Sequence, residues 1–206
     1  MIEKYNSLKK FDNSFINSNV KLIAGVDEAG RGPIAGPVVA AAVIFDKKKF
    51  NPQINDSKKL SEKKREELFE WIIQNCISYS IGIVSHIEID EINILQASLK
   101  AMKIAVDNLK IKPHLILIDG NKSFSNDNEI DIKTIVKGDS KSFAIASASI
   151  IAKVTRDRIM KEASLMHPEY LWEKNKGYPT LQHIEAVKTF GITPLHRKTF
   201  LKNIFE

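Results

Sequence analysis

Residues 22–33 read LIAGVDEAGRGP, and this stretch decides the fold around it. Its apolar first half is typical of a buried β-strand, which is expected to stop at two adjacent acids, Asp27 and Glu28. The glycines that follow would let the backbone and Arg31 approach a ligand closely. The pattern favours a metal and phosphate site at a sheet edge. The alternative is a polar strand end that leads into an ordinary Gly-Pro turn.

Strand and helix patterns alternate along the chain, which predicts an α/β fold. Residues 38–45 are apolar without alternation, as in a strand buried on both faces, and would form a central hairpin with 22–26. Residues 167–206 indicate a helical cap on a single domain that spans 1–206. The other predictions are helices at 62–75 with Ser61 as N-cap, 87–109, 142–164 and 181–190, strands at 78–84, 115–118 and 130–136, and a polar loop at 123–129.

The composition is that of an ordinary globular protein. Of 206 residues, 43% are hydrophobic and 27% are charged, which excludes a disordered, collagen-like or membrane-embedded chain. Thirty-one Lys and Arg against twenty-five Asp and Glu give a formal net charge of +6. This excess is consistent with a polyanionic partner such as nucleic acid.

Cys76 is the only cysteine, so an intramolecular disulfide and a cysteine-based zinc site are both excluded. A reducing, cytoplasmic location is therefore expected. Residues 1–19 lack the apolar core of a signal peptide. No run approaches the roughly 20 apolar residues of a membrane helix, so we expect no membrane association.

Acids follow apolar strand patterns at three places in the chain. Asp27 and Glu28 follow the first pattern, Asp119 ends another, and Asp139 comes after a third. If these acids converge, each pair at ~4 Å would repel by about 4 kcal/mol at an effective dielectric constant near 20. Mg²⁺ or Mn²⁺ would relieve that repulsion and could activate water at a phosphate. The alternative is three unrelated turns, each with an Asp that bonds its own backbone.

Other candidate residues suit a nucleic-acid substrate. Arg31 could clamp a phosphate or a sugar hydroxyl, with the backbone N–H groups of Gly30 and Gly32 donating beside it. Lys58 near a helix start could meet an anion, and Tyr178 in a turn could stack on a base or sugar. The alternatives are an exposed turn arginine, a solvated lysine and a half-buried aromatic.

Several common catalytic motifs are missing from the sequence. The five histidines show no His-Glu-x-x-His spacing, and no serine lies in a Gly-x-Ser-x-Gly elbow. No dinucleotide fingerprint or Gly-Lys-Ser/Thr phosphate loop occurs. The sequence therefore disfavours a zinc-dependent hydrolase, a serine hydrolase and an enzyme with a nucleotide cofactor.

Six motifs, taken together and in this order, closely resemble bacterial ribonuclease HII. The resemblance implies a ribonuclease H-like α/β fold, with a mixed central β-sheet flanked by helices and a helical C-terminal cap at about 167–206. The motifs are AGVDEAGRGP at 24–33, NDSKKLS at 55–61, IDGN at 118–121, KGDS at 137–140, ASIIAKVTRD at 148–157 and KGYP at 176–179.

The same resemblance implies an endonuclease that cuts the RNA strand of RNA–DNA hybrids. It would also cut on the 5′ side of single ribonucleotides embedded in duplex DNA, leaving a 3′-hydroxyl and a 5′-phosphate. Cleavage would proceed by in-line attack with two Mg²⁺ or Mn²⁺ ions. The residues implied to be catalytic and metal-binding are Asp27, Glu28, Asp119 and Asp139. Those implied to bind substrate are Gly30, Arg31 and Gly32 at the ribose 2′-hydroxyl, Tyr178 against the adjoining deoxyribose, and Lys58 at a phosphate.

The implied partners are RNA–DNA hybrid duplexes and DNA that contains ribonucleotides, in replication and repair. A monomer is expected. A sliding-clamp interaction is left open, since no clear clamp-binding peptide precedes the end near Phe205. Two other functions also remain open: a catalytically silent duplex-binding protein, and a DNA nuclease or strand-transfer enzyme of the same broad fold.

Overall fold

The computed structural model describes residues 2–55, 57–125 and 130–202, with residues 2–6 and 58 described by their backbone alone. Five strands form one sheet: β1 (Ile23–Ala29), β2 (Val38–Ile44), β3 (Ser78–Val84), β4 (Leu115–Asp119) and β5 (Asp131–Ile135). The α-helices of the described residues are α1 (Ile2–Asn13), α2 (Glu62–Asn75), α3 (His86–Asp107), α4 (Phe143–Met166), α5 (Trp172–Asn175) and α6 (Leu181–Phe190).

The sheet is mixed, as predicted, with the strand order β3-β2-β1-β4-β5. Strand β2 is antiparallel to both of its neighbours, β1 and β3, whereas β1, β4 and β5 run parallel to one another. One face packs on α3 and the other on α4 and α2, so both faces of β2 are buried. Because β1, β4 and β5 are parallel, their carboxyl ends meet at one edge of the sheet.

The first strand is longer than predicted. Its parallel pairing with β4 ends at Val26, but its antiparallel pairing with β2 continues through Asp27, Glu28 and Ala29. The two acids therefore lie inside β1, beyond Val26, which is the last residue of β1 that pairs with β4. The ladder with β2 holds their backbone more rigidly than a strand end without a partner would.

Helix α4 approaches β1 at backbone distance. A Cβ on Gly25 would lie 2.1 Å from the carbonyl carbon of Ala144, so only glycine fits there. The small residues at the start of α4 predict this close packing. Ser142 is the N-cap of α4 and accepts a hydrogen bond from the Ile145 N–H at 3.1 Å.

Helix α1 was not predicted, because residues 1–19 show no continuous apolar stripe. Asp12 attaches α1 to the start of α4 by accepting a hydrogen bond from the Ala144 N–H at 2.9 Å. Burial raises the pKa of Asp12 to about 6. The helix thus depends on a tertiary contact more than on its own amphipathic pattern.

The helices predicted within 87–109 are present as two helical segments of α3. Asn93 has φ 67°, and its side-chain oxygen accepts hydrogen bonds from the N–H groups of Leu95 and Gln96. Asparagine tolerates this left-handed conformation and caps the second segment. Of the predicted loop at 123–129, residues 126–129 lie outside the described part of the chain.

Several boundaries were predicted correctly. The helices at 62–75 and 181–190 and the strand at 78–84 are confirmed. Ser61 caps α2 as predicted, accepting a hydrogen bond from the Lys64 N–H at 3.2 Å. The C-terminal helices pack on the end of α4 through a small apolar cluster that includes Met160, Tyr170 and Trp172. None of the helices described is long and apolar enough to cross a membrane.

Candidate active site

An open cleft of about 310 Å³ lies at the carboxyl ends of β1 and β4. We call it the acidic cleft. It brings together three of the four predicted metal-binding acids, three consecutive predicted sugar-binding residues and the predicted aromatic. Its lining residues are Asp27, Glu28, Ala29, Gly30, Arg31, Gly32, Ser57, Asp119, Ser149, Lys153 and Tyr178.

Asp27 is the most deeply buried of the acids that line the cleft, with 6% of its surface exposed. One carboxylate oxygen accepts a hydrogen bond from the Glu28 N–H at 2.7 Å, and Ser149 also bonds the side chain. Burial, followed by repulsion from Glu28 and Asp119, raises the pKa of Asp27 well above its ordinary value. A cation beside it would lower that pKa again.

Glu28 faces Arg31 across the mouth of the cleft, with 3.3 Å between Oε1 and Nη1. Burial raises the pKa of Glu28, Arg31 opposes that shift, and Asp119 adds to it. Arg31 is about half exposed, so it can leave this ion pair for an incoming anion at little cost.

Asp119 ends β4, and one of its carboxylate oxygens accepts a hydrogen bond from the Gly138 N–H at 2.5 Å. This bond ties the loop that follows β5 to the end of β4. Asp139 is the next residue in that loop and is 8% exposed, although it does not line the cleft as described. The loop turns sharply at Lys137, which has φ 56°.

The acids suit a hard divalent cation by their chemistry, since Mg²⁺ and Mn²⁺ prefer carboxylate oxygens. Burial is the main cause that raises the pKa of Asp27 and of Glu28, and repulsion from Asp119 adds to both shifts, so a cation between the acids would stabilise their ionised forms. Within the described ranges, no three His, Cys, Asp or Glu side chains already form a metal-binding group. Asp27, Glu28 and Asp119 each accept a protein hydrogen bond on one carboxylate oxygen, and the second oxygen of each could ligate a cation.

The glycine loop forms one wall of the cleft. Gly30 has φ 106°, and a Cβ there would lie 2.3 Å from the Arg156 Nε, so any side chain is excluded. Gly32 is exposed, and a Cβ on it would stand 3.4 Å from the Tyr178 ring. The predicted sugar-binding loop and the predicted aromatic therefore face each other.

Tyr178 forms the opposite wall and is 41% exposed. The turn before it uses two left-handed residues, Lys176 and Gly177. The Tyr178 carbonyl lies 2.9 Å from His183 Nδ1, which fixes the backbone while the ring stays free. Lys58 belongs to the short 3-10 helix Ser57–Lys59, and its side chain lies outside the described residues.

A model of the family described as Ribonuclease HII matches residues 24–205. The chain belongs to the ribonuclease HII family. A curated Ribonuclease HII from Rickettsia bellii is 54% identical over 185 residues, which cover 90% of this chain and 92% of that relative. Membership makes the protein a hydrolase of the ribonuclease H type, an endonuclease that acts on RNA in RNA–DNA hybrids.

Solved structures of ribonuclease HII relatives share the fold. Ribonuclease H2 from Pyrococcus horikoshii is 30% identical, with a TM-score of 0.76 over 89% of this chain and 96% of its own. The Archaeoglobus fulgidus ribonuclease HII, solved in complex with PCNA, is 25% identical, with a TM-score of 0.72 over 89% and 97%. The predicted ribonuclease H-like fold is confirmed.

Sequence reasoning missed three residues of this ribonuclease HII cleft: Ser57, Ser149 and Lys153. The two serine hydroxyls lie 2.9 Å apart, and Ser149 continues to Asp27, so a short hydroxyl chain links the 3-10 helix to the acid. Lys153 donates to Asp157 at 2.6 Å and lies 5.9 Å from the Tyr178 ring centre. Ser149 and Lys153 are spaced i, i+4 on α4 and so lie on the same face of the helix, and this spacing could have indicated that both reach the cleft.

Two fully buried arginines behind the glycine loop were also missed. Arg156 and Arg197 donate only to backbone carbonyls in the contacts described for them. Burial lowers the pKa of Arg156 to about 10 and that of Arg197 to about 9, so both stay charged at neutral pH. Their positions in the sequence give no indication that they meet.

Proposed function

We propose that this ribonuclease cuts the RNA strand of RNA–DNA hybrids and also cuts 5′ of single ribonucleotides in duplex DNA. The products carry a 3′-hydroxyl and a 5′-phosphate. One observation carries the proposal: three acids and the Gly30–Arg31–Gly32 segment share a single cleft with Tyr178. Phosphate chemistry and ribose recognition can then act on the same nucleotide.

In this proposal Asp27, Glu28, Asp119 and Asp139 hold two Mg²⁺ or Mn²⁺ ions. Such ions, when bound, supply an acidified water and stabilise negative charge on the leaving O3′. Asp27 is held by the Glu28 N–H and by Ser149, and Asp119 by the Gly138 N–H, so both carboxylates are oriented before substrate arrives. Asp139 directly follows Gly138, whose N–H bonds Asp119, so the same loop would supply the fourth carboxylate.

The ribose is recognised by its 2′-hydroxyl, the group that separates RNA from DNA. Backbone donors of the glycine loop bond this hydroxyl, Arg31 contacts the adjoining phosphate, and the Tyr178 ring packs on the neighbouring deoxyribose. Because no base edge is read, cleavage is independent of base sequence.

Two lysines would bind the phosphate backbone of the substrate. Lys58 and Lys153 meet phosphates, and residues 167–206 act as the cap that carries Tyr178 against the duplex. Affinity therefore falls as salt rises, because phosphate contacts release counterions. The enzyme acts as a cytoplasmic monomer in ribonucleotide removal during replication and repair, and recruitment by a sliding clamp is left open.

The test is cleavage of a labelled DNA duplex that carries one ribonucleotide, beside an all-DNA duplex of the same sequence. Each is incubated with Mg²⁺, with Mn²⁺ and with chelator. We expect a cut 5′ of the ribonucleotide with either metal, none with chelator, and none in the all-DNA duplex. Equal cutting of both duplexes would instead indicate a DNA nuclease, and binding without cutting would indicate a silent duplex-binding protein.

Tyr178→Ala should reduce the preference for an embedded ribonucleotide over a continuous RNA–DNA hybrid by roughly tenfold. Stacking of a base on an aromatic is worth about 1–3 kcal/mol, and we take packing of the ring on the deoxyribose at the junction to lie at the lower end of that range. The measurement is the ratio of kcat/KM for the two substrates.

Tyr178→Phe is the matched control, since it keeps the ring and removes only the hydroxyl. It should keep the wild-type ratio, and the metal concentration for half-maximal rate should stay unchanged in both variants. A ratio that falls equally in the Phe variant would show that the hydroxyl, not the ring, selects the junction.

A further inference from the structure

Arg197 lies behind the glycine loop with none of its surface exposed. Its guanidinium donates to five backbone carbonyls of residues 30–37, at 2.7 to 3.3 Å: those of Gly30, Arg31, Pro33, Gly36 and Pro37. A guanidinium has five N–H donors, and here all of them meet the same loop. No carboxylate takes part in these contacts.

The loop needs such a partner because few of its carbonyls are paired with backbone N–H groups. Residues 30–37 form no helix or strand, and the bridge described for them joins Ala35 to His196, yet the segment from Pro33 to Gly36 is buried. Buried carbonyls without donors would be strongly unfavourable. One planar, permanently charged group satisfies five of them at once, which an ammonium with three tetrahedral donors cannot do.

The direction of these carbonyls also fixes the direction of two N–H groups. The described peptide bonds are all trans, so the N–H of each residue points opposite to the carbonyl before it. The carbonyls of Gly30 and Arg31 point at Arg197. The N–H groups of Arg31 and Gly32 therefore point away from it, and both residues line the acidic cleft.

Among the described residues, the N–H groups of Arg31 and Gly32 donate to no backbone or side-chain acceptor. They are a pair of adjacent donors, presented at a fixed angle beside Glu28 and opposite Tyr178. A ligand oxygen placed between the two walls could accept from them.

We propose that Arg197 is the positioning residue that aims the N–H groups of Arg31 and Gly32 at the ribose 2′-hydroxyl. It touches neither substrate nor metal, and it sets ribose selectivity from the back of the loop. This inference rests on the proposed function, because it concerns how the same cleft reads the sugar.

The segment that carries Arg197 is itself anchored at two points. The Arg197 N–H donates to the Ile34 carbonyl at 2.8 Å, and the Gly36 N–H donates to the Leu195 carbonyl at 2.9 Å. On the other side, Asp90 accepts from the N–H groups of Lys198 and Thr199 at 2.8 and 3.0 Å. These bonds hold the Arg197 guanidinium in a fixed position behind the loop.

Arg156 provides a matched control for burial and charge. Its guanidinium is also buried and also donates only to carbonyls, but to those of Ala35, Pro37 and Lys176. None of these carbonyls precedes the N–H of Arg31 or Gly32. A lysine at 156 should therefore loosen the base of the loop without turning the two donors.

The experiment compares Arg197→Lys, Arg156→Lys and wild type. The dissociation constants for a DNA duplex with one ribonucleotide and for an all-DNA duplex are measured by fluorescence anisotropy with chelator present, so that nothing is cut. Their ratio reports sugar recognition alone. For Arg197→Lys we expect the ratio to fall by roughly tenfold, the size expected when one hydrogen bond to the ligand is lost. Affinity for the all-DNA duplex should stay within about twofold of wild type.

Arg156→Lys should lower the melting temperature but keep the wild-type ratio. An unchanged ratio in Arg197→Lys, or an equal fall in both variants, would overturn the proposal, since Arg197 would then be only a structural residue. If Arg197→Lys does not fold, Asp90→Asn is measured in its place, because it loosens the segment that carries Arg197. Asp90→Asn should lower the ratio two- to threefold. An unchanged ratio in that variant would overturn the proposal. If the wild-type protein itself binds both duplexes equally, with a ratio near one, the proposed recognition of the ribose is wrong. Failure of the proposed function is thereby distinguished from failure of the role proposed for Arg197.

Discussion

Asp27→Asn is expected to lower kcat/KM for a ribonucleotide-containing duplex by about 10³-fold or more, the order found when one member of a catalytic constellation is removed. Asp27 is the buried acid at the centre of the cleft, between Glu28 and Asp119. An amide cannot supply the negative charge that a divalent cation needs there. The measurement is steady-state cleavage with Mg²⁺ and, separately, with Mn²⁺.

The same substitution should leave the metal-free protein as stable as wild type or more stable. The pKa of Asp27 is higher in the folded protein than in the unfolded chain, so its ionised form at neutral pH opposes folding. An amide removes that unfavourable charge. The melting temperature in chelator should therefore stay the same or rise, whereas a Mg²⁺-induced rise in melting temperature should be lost.

Asp131→Asn is the matched control, because Asp131 is an exposed acid at the start of β5. It should cleave like wild type and show the same response to Mg²⁺. Full cleavage by Asp27→Asn would contradict the assignment of the metal site. A large drop in its melting temperature would show that Asp27 has a structural role.

Gly25→Ala is expected to destabilise the protein by about 3 kcal/mol, at the upper end of what overpacking produces. The added Cβ would stand 2.1 Å from the carbonyl carbon of Ala144 and 2.4 Å from the Ile145 nitrogen, and neither backbone atom can swing aside. Helix α4 would have to lift from β1 and carry the loop of Asp139 with it. Urea unfolding followed by circular dichroism gives the free energy of unfolding.

Gly32→Ala is the matched substitution for this measurement. Gly32 is exposed, has no left-handed backbone, and an added Cβ would meet only the Tyr178 ring at an ordinary 3.4 Å. Its unfolding free energy should change by less than about 1 kcal/mol. Equal stability of the Gly25→Ala and Gly32→Ala variants would show that α4 tolerates a wider gap from the sheet than its contacts suggest.

Local patterns were sufficient for the regular elements of the sheet. Alternation and apolar runs placed β2 and β3, and the helical periodicity with a serine cap placed α2, because these signals arise from residues near each other in sequence. The acids at the strand ends were found for the same reason. The predicted end of β1 was wrong by three residues, since the partner strand β2 extends the ladder through Asp27 and Glu28.

The sequence by itself determined the α/β fold class, the family resemblance and the candidate acids, since each depends on residue type and local spacing. The tertiary structure alone decided that α1 forms, through Asp12 and the Ala144 N–H, and that Ser57 reaches Asp27 through Ser149. It also decided that Arg197 meets Gly30 from 167 residues away. Such contacts depend on directions in space between distant segments, and a burial pattern or a capping residue carries no information about them.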